Sequence, residues 1–364
     1  MNTKNKFIII FAVILITIIF IWFFGSIIAY VLASAVMSLI GQPIMKLIGK
    51  IRFGKYEIPH SLKAFTTLLV LMGLFIAVIS IFIPIFTYEI DILSKVDYQT
   101  FYNSFKVPLT KLEATLLKYN LIAENENIDT ILYSKISSFI NISKFSEIFN
   151  SFIDYTGKLL VAIFAISFIT FFFLKDKKLF LKGVMLLTPL KYQMEIKHIL
   201  IETKRLLTRY FIGLCLDVVS VIILISIGMT IMGIDNALII GFFAGIMNVI
   251  PYIGPIIGAC IGVFLGLSVN MNVDFYSQML PDIFRMLGVF LAVNIIDATF
   301  LQPYIYSSSV KAHPLEIFLV ILMAGTVAGI PGMVLAIPSY TVLRIVAKEF
   351  FNKLRIVQKL TEDI

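Results

Sequence analysis

The chain has 364 residues, of which 59% are hydrophobic and only 14% charged, with 33 phenylalanines and a mean hydropathy of +0.98. Soluble domains are near half apolar and a quarter charged, so this composition excludes one and requires lipid around much of the surface. The formal net charge of +8 does not indicate nucleic acid: the basic residues gather between apolar runs, as in loops held on the cytoplasmic side of a membrane, and no basic face carries interleaved aromatics.

Lys4 and Lys6 precede an apolar run over 7–24, and Ala33-Ser34-Ala35 resembles a signal-peptidase site. The run is long for a signal peptide and the triplet falls inside a second run, 27–45, beyond Gly25-Ser26. The first helix is therefore expected to be retained, with Trp22 near the outer interface. Further runs cover 64–87, 157–174, 208–232, 236–268, 282–304 and 314–347, each long enough to cross about 30 Å of hydrocarbon.

Charge orients these spans. Segment 46–63 carries Lys46, Lys50, Arg52, Lys55 and Lys63 against Glu57, and 175–209 carries nine Lys and Arg against Asp176, Glu195 and Glu202, a net of +6. Both segments and both termini are expected in the cytoplasm. Segment 88–155, with nine acidic residues and six lysines, then lies outside. Apolar residues recur at helical spacing over 111–121 and 131–140, which predicts a small helical cap there. Segment 191–209 reads as an amphipathic helix, either at the inner membrane surface with its lysines towards phosphates or simply solvated. The expected organisation is N-terminal spans (1–87), an extracytoplasmic helical region (88–155), a span with a basic helix (156–207), a core (208–347) and a basic tail (348–364).

Segments 236–268 and 314–347 are longer than one span and are broken near their middles, by Pro251-Tyr252-Ile253-Gly254-Pro255 and by Gly329-Ile330-Pro331-Gly332. Proline removes a backbone donor and disrupts the preceding turn, and each half is short of a full crossing. The fold expected is an all-α transmembrane bundle containing two re-entrant hairpins that enter from opposite faces. A pair of full, kinked spans leaves the C-terminus on the same side and stays open at this point. Gly254, Gly258, Gly262 and Gly266 form one smooth helix stripe, suited to close packing or to a sliding surface.

Cys215 and Cys260 both fall within apolar runs, which points to buried free thiols rather than a disulfide framework or zinc site. No Gly-x-Ser-x-Gly or His-Glu-x-x-His motif is present, neither membrane aspartate lies in a Gly-x-Gly-Asp element, and there is no phosphate-binding loop. His198 and Glu202, spaced i, i+4, lack a third ligand and read as a surface pair. No catalytic residue, metal ligand or cofactor is expected, and the chain does not read as an enzyme.

The blocks Asn248-Val-Ile-Pro251-Tyr252-Ile-Gly254-Pro255, Asp297, Leu301-Gln302-Pro303, Val310, His313-Pro314-Leu315, Gly325, Gly329, Gly332 and Ala336-Ile337-Pro338 follow in an order and spacing that resemble the autoinducer-2 exporter family of bacterial membrane proteins. Ser307-Ser308-Ser309 departs from it, standing where relatives often carry a glycine and a basic residue. The resemblance implies a homo-oligomeric inner-membrane protein with eight conventional transmembrane segments. Members are linked to export of autoinducer-2 and others to sodium/proton antiport, so the solute, a small polar molecule or H+ or Na+, is not settled by it. A passive pore or scaffold is the alternative of another class.

Ionisable groups within hydrocarbon are costly and mark candidate pathways. Asp217 lies in the middle of its span, and Asp297 follows Asn294 by one turn. A carboxylate in a partly dry site can exchange a proton; otherwise it is a structural group paired with a hydroxyl, amide or arginine. Arg285 near the outer end of the same span and Glu316 near the start of the last segment are the other charged groups in these runs. Asn248, Tyr252 and Gln302 offer neutral donors and acceptors for a hydroxyl-rich solute, or cap carbonyls freed at the breaks. His313 before Pro314 is either titratable or a helix boundary. With Pro251, Gly254, Pro255, Pro303, Gly329 and Gly332 at the breaks, these are the expected pathway residues.

Overall fold

A computed structural model describes residues 23–50, 58–95, 110–111, 118–119, 156–176, 178–268, 273–303, 313–351 and 358. Among the described residues there is no strand, and the elements are helices. Helices satisfy their own backbone groups, which hydrocarbon demands. The chain divides into two compact units, 1–76 with 152–204 and 77–151 with 205–364. All but the last two residues of the expected span 7–24, Trp22 included, most of region 88–155, Ser307–Ser309 and most of the tail beyond Phe351 lie outside the described residues.

The first unit is built on α1 (Gly25–Lys50), the start of α2 (His60–Lys95) and α3 (Thr156–Lys175). The buried face of α1 is Ser34, Ser38, Gly41 and Met45, mostly small residues that let neighbouring backbones approach. Ser34 Oγ donates to the Ile166 carbonyl at 3.1 Å, and Ser167 Oγ to Met72 Sδ at 3.1 Å. A side chain at Gly41 would meet Leu71 Cδ1 at 3.0 Å and Leu174 Cδ2 at 3.3 Å. Leu69, Leu74, Phe164 and Phe168 are more than half exposed, on flanks long and apolar enough for a bilayer to cover. A short helix, α4 (Leu179–Leu187), leaves α3 at 88°; nothing in the basic stretch marked it.

Next comes α5 (Gln193–Ile231), a single helix of 39 residues. The sequence divides here into an amphipathic helix and a span, but the structure joins them. No proline or glycine occurs between 193 and 212, so nothing interrupts the hydrogen-bond ladder.

In the second unit, α6 (Ala237–Met247) and α7 (Ile253–Ser268) run antiparallel. The glycine stripe is their seam: Gly258 faces Ala244, whose Cα would lie 3.0 Å from an added Cβ, while Gly262 meets Ile240 and the Phe290 ring and Gly266 meets Met286. Phe290 and Met286 belong to α8 (Leu280–Ile296), so the same stripe seats two helices at once. Val221, Ile225 and Met229 of α5 close the core against Ile239, Ile240, Ala244, Val289 and Val293.

The last helix, α9 (Pro314–Phe351), hinges at Ala328 and at Gly329, whose φ of 59 and ψ of −146 are non-helical. Beyond the hinge the chain folds back. Tyr340 Oη donates to Glu316 Oε2 at 2.9 Å across 24 residues, which a straight helix would hold about 36 Å apart. Met333 packs on Gly325, and Gly332 on the Ala324 carbonyl. Both broken segments thus fold back on themselves as helical hairpins. The tip of the first packs on the second: Ile250 and Ile253 join Ile317, Ile321 and Ala336, and Tyr252 meets Phe318 edge-on at 6.0 Å.

The expected burial of the two cysteines is corrected. Cys215 and Cys260 are both exposed, because an apolar run in a membrane helix can face lipid as readily as protein.

Candidate functional site

The first hairpin reverses within five residues, and local bonds hold the reversal. The Asn248 N–H donates to the Ala244 carbonyl, Ile250 to Met247 and Gly254 to Ile250, while Pro251 has no N–H to satisfy. Tyr252 adopts a φ of 67, unusual for a residue with a β-carbon. Any side chain at Gly254 would strike the Met247 carbonyl, so glycine is required for this close return. The reversal fixes Asn248 at the end of α6 with its side chain buried.

At the end of α8 the helix widens into a π-turn, Asp297–Leu301, closed by the Gln302 N–H to the Asp297 carbonyl. In an α-helix, residues five apart do not face one another; a π-turn brings them together, and such turns concentrate at functional sites. Gln302 Nε2 consequently also reaches Asp297 Oδ2, at 3.0 Å.

Asn248 lies between two carboxylates. Its single Nδ2 donates to Asp217 Oδ2 at 3.1 Å and to Asp297 Oδ2 at 3.3 Å. Asp217 is 2% exposed and Asp297 1%. Asp297 Oδ1 is buried and has no hydrogen-bond partner among the described residues. At an effective dielectric of about 20, full charges about 6 Å apart repel by roughly 3 kcal/mol, and burial penalises each charge besides. The amide shared between them offsets part of both terms. Counting helical rise, the cluster lies about 16–25 Å along the helices from the α5–α6 and α7–α8 ends.

Beside the cluster is a cavity of about 580 Å³ lined by α5, the first hairpin and α8. Asn248, Pro255, Asn294 and Asp297 line it, as do Cys260, Leu287 and Phe290. The last three are not apparent in the sequence, where they are ordinary members of apolar runs.

Other expected pathway residues fall elsewhere. Pro251, Tyr252 and Gly254 shape the tip, and Pro303 is exposed after the π-turn. His313 is exposed and accepts the Leu315 N–H on Nδ1 at 3.2 Å, at the start of the helix opened by Pro314. Gly329 is the second hinge and Gly332 the close contact beyond it. None of these lines the cavity. Arg285 pairs with Asp282 at 2.9 Å on the surface, and Glu316 joins the arms of the second hairpin through Tyr340.

Residues 9–352 match the family described as AI-2E family transporter. YueF of Bacillus subtilis (strain 168), provisionally named a transport protein, is 25% identical over 354 residues, covering 93% of this chain and 87% of YueF. YrrI of the same strain, named likewise, is 30% identical over 187 residues, 51% of this chain and 50% of YrrI. With the match spanning the helices, both hairpins and the buried polar cluster, the chain belongs to the AI-2E family of membrane transporters.

Proposed function

We propose that this chain is a secondary transporter whose ion-coupling site is the Asp217–Asn248–Asp297–Gln302 cluster, driving export of a small polar molecule for which autoinducer-2 is the first candidate. One observation carries the reading: a single amide bridges two buried carboxylates, one of which lines a cavity. That arrangement suits alternate occupation by a proton or sodium ion, and the two hairpins, which pack tip against arm, suit access that alternates around it. In this reading the hairpins are re-entrant from opposite faces, region 88–155 is extracytoplasmic and both termini are cytoplasmic. The Lys111 ammonium over the Tyr276 ring at 4.5 Å supports a common side for that region and the α7–α8 connection.

The same pair of carboxylates favours a second reading, direct cation/proton antiport, because it needs no organic solute. Proteoliposomes loaded with labelled autoinducer-2 and a pH-sensitive dye, with and without a sodium gradient, separate the two. Saturable solute flux that Asp297→Asn abolishes while the protein still inserts is the expected result. Sodium-driven proton movement without solute flux would replace export by antiport, and full coupled activity in Asp297→Asn would remove the cluster from the mechanism.

A further inference from the structure

The cavity beside the cluster has its own polarity, which bears on what can bind there. Asn248, Asn294 and Asp297 all lie towards the hairpin tip. From Pro255 to Val263 on α7, and from Asp297 back to Leu287 on α8, the lining is otherwise apolar, a length of about 12–15 Å. Among the described residues, no lysine, arginine or histidine lines it. The lining residues Ile256 and Leu291 are 66% and 63% exposed, which leaves the cavity with an apolar flank open among the described residues. A hydroxyl-rich solute would leave most of such a wall without partners, whereas apolar area buried there is favourable at roughly 25 cal/mol per Å².

We propose that this cavity binds amphipathic organic cations, taken from the lipid phase, with the cationic head at Asp297 and the apolar body along α7 and α8 towards Val263 and Leu287. Asp297 supplies the charge complementarity: it lines the cavity, is 1% exposed, and its Oδ1 has no hydrogen-bond partner among the described residues. A few placed polar groups at one end of an apolar pocket orient a ligand in this way. The inference rests on the cluster being a transport site and goes beyond that reading by putting an amphipathic cation in place of the small polar solute.

Cys260, on the cavity wall, is the natural reporter. In a Cys215→Ser background reconstituted in liposomes, alkylation of Cys260 by N-ethylmaleimide should slow with methyltriphenylphosphonium and not with triphenylphosphine oxide, its uncharged near-isostere. Asp297→Asn should raise the half-protecting concentration at least about tenfold, the effect of one lost charge contact. Ala259→Phe fills the apolar part without altering the polar cluster and should abolish protection, which keeps the test decisive if Asp297→Asn fails to fold. No protection by the cation, equal protection by the oxide, or protection unchanged in folded Asp297→Asn would overturn the proposal. Ion-coupled flux retained by a protein that shows no protection would overturn the ligand class alone. Protection without any ion-coupled flux would overturn the coupling reading and leave the binding site standing.

Discussion

Asn248→Ala isolates the role of the bridging amide. The substitution deletes two hydrogen bonds to carboxylates, at 3.1 and 3.3 Å. Hydrogen bonds to charged groups contribute about 1.5–3 kcal/mol each, so the loss is about 3–6 kcal/mol, with Asp217 and Asp297 still buried in place. If the second unit unfolds cooperatively, about 2–4 °C per kcal/mol places the melting temperature at least about 6 °C below wild type. The diagnostic variant is Asn248→Ala/Asp297→Asn. Removing one charge relieves the roughly 3 kcal/mol of repulsion between full charges, so the double variant should melt above Asn248→Ala even though it carries more changes. Thermal unfolding of the purified proteins in one detergent, followed by near-ultraviolet circular dichroism, measures both. An Asn248→Ala protein that melts like wild type, or a double variant no more stable than the single one, would refute the reasoning that Asn248 is there to hold two mutually repelling carboxylates.

Four further outcomes are expected. Gly262→Leu drives a side chain into the Phe290 ring and Ile240 and should destabilise by at least about 1–3 kcal/mol; Gly288→Leu on α8, with no atom within 4 Å of an added Cβ, should melt like wild type. Tyr340→Phe removes the bond to the Glu316 carboxylate between the arms of the second hairpin, worth about 1.5 kcal/mol, and should speed amide hydrogen exchange in 314–327 by roughly tenfold. Asp274 accepts the Ser277 and Tyr276 N–H groups at 2.9 and 3.1 Å, and the Ser277 backbone bond foremost holds its carboxyl below the ordinary range. A folded value below the unfolded one stabilises at higher pH and is lost as pH falls through the folded value, so exchange protection over 275–281, corrected for intrinsic rates, should drop in acid, and Asp274→Asn should flatten that dependence. Finally, Ser308→Cys in a background lacking the native cysteines should react with an impermeant thiol reagent from the cytoplasmic side only; labelling from outside would reject the proposed topology.

Much of the site is legible in the sequence because polar residues inside long apolar runs stand out: Asp217, Asn248, Asp297 and Gln302 are visible as expensive groups in hydrocarbon. Their mutual arrangement is not. Asn248 and Gln302 have two tasks open to them in the sequence, serving a solute or capping carbonyls freed at the breaks; in the structure their amides bond carboxylates instead of freed carbonyls. The hairpin tip satisfies its own backbone through Ile250 to Met247 and Gly254 to Ile250, which releases the Asn248 amide for the two carboxylates. Gln302 reaches Asp297 only through the π-turn, and no local residue pattern announces that turn. The hairpins follow from Pro251, Gly329 and their neighbours, since backbone that loses donors or takes a positive φ cannot continue as a helix. Whether an apolar residue faces packed protein, lipid or a cavity is where hydropathy is blind, and Cys215 and Cys260 are exposed for that reason, Cys260 on the cavity wall. The same blindness hides the cavity. Its walls are apolar residues of spans that would look alike if the cavity were filled, and only the convergence of four helices beside Asp297 separates an open cavity from packing.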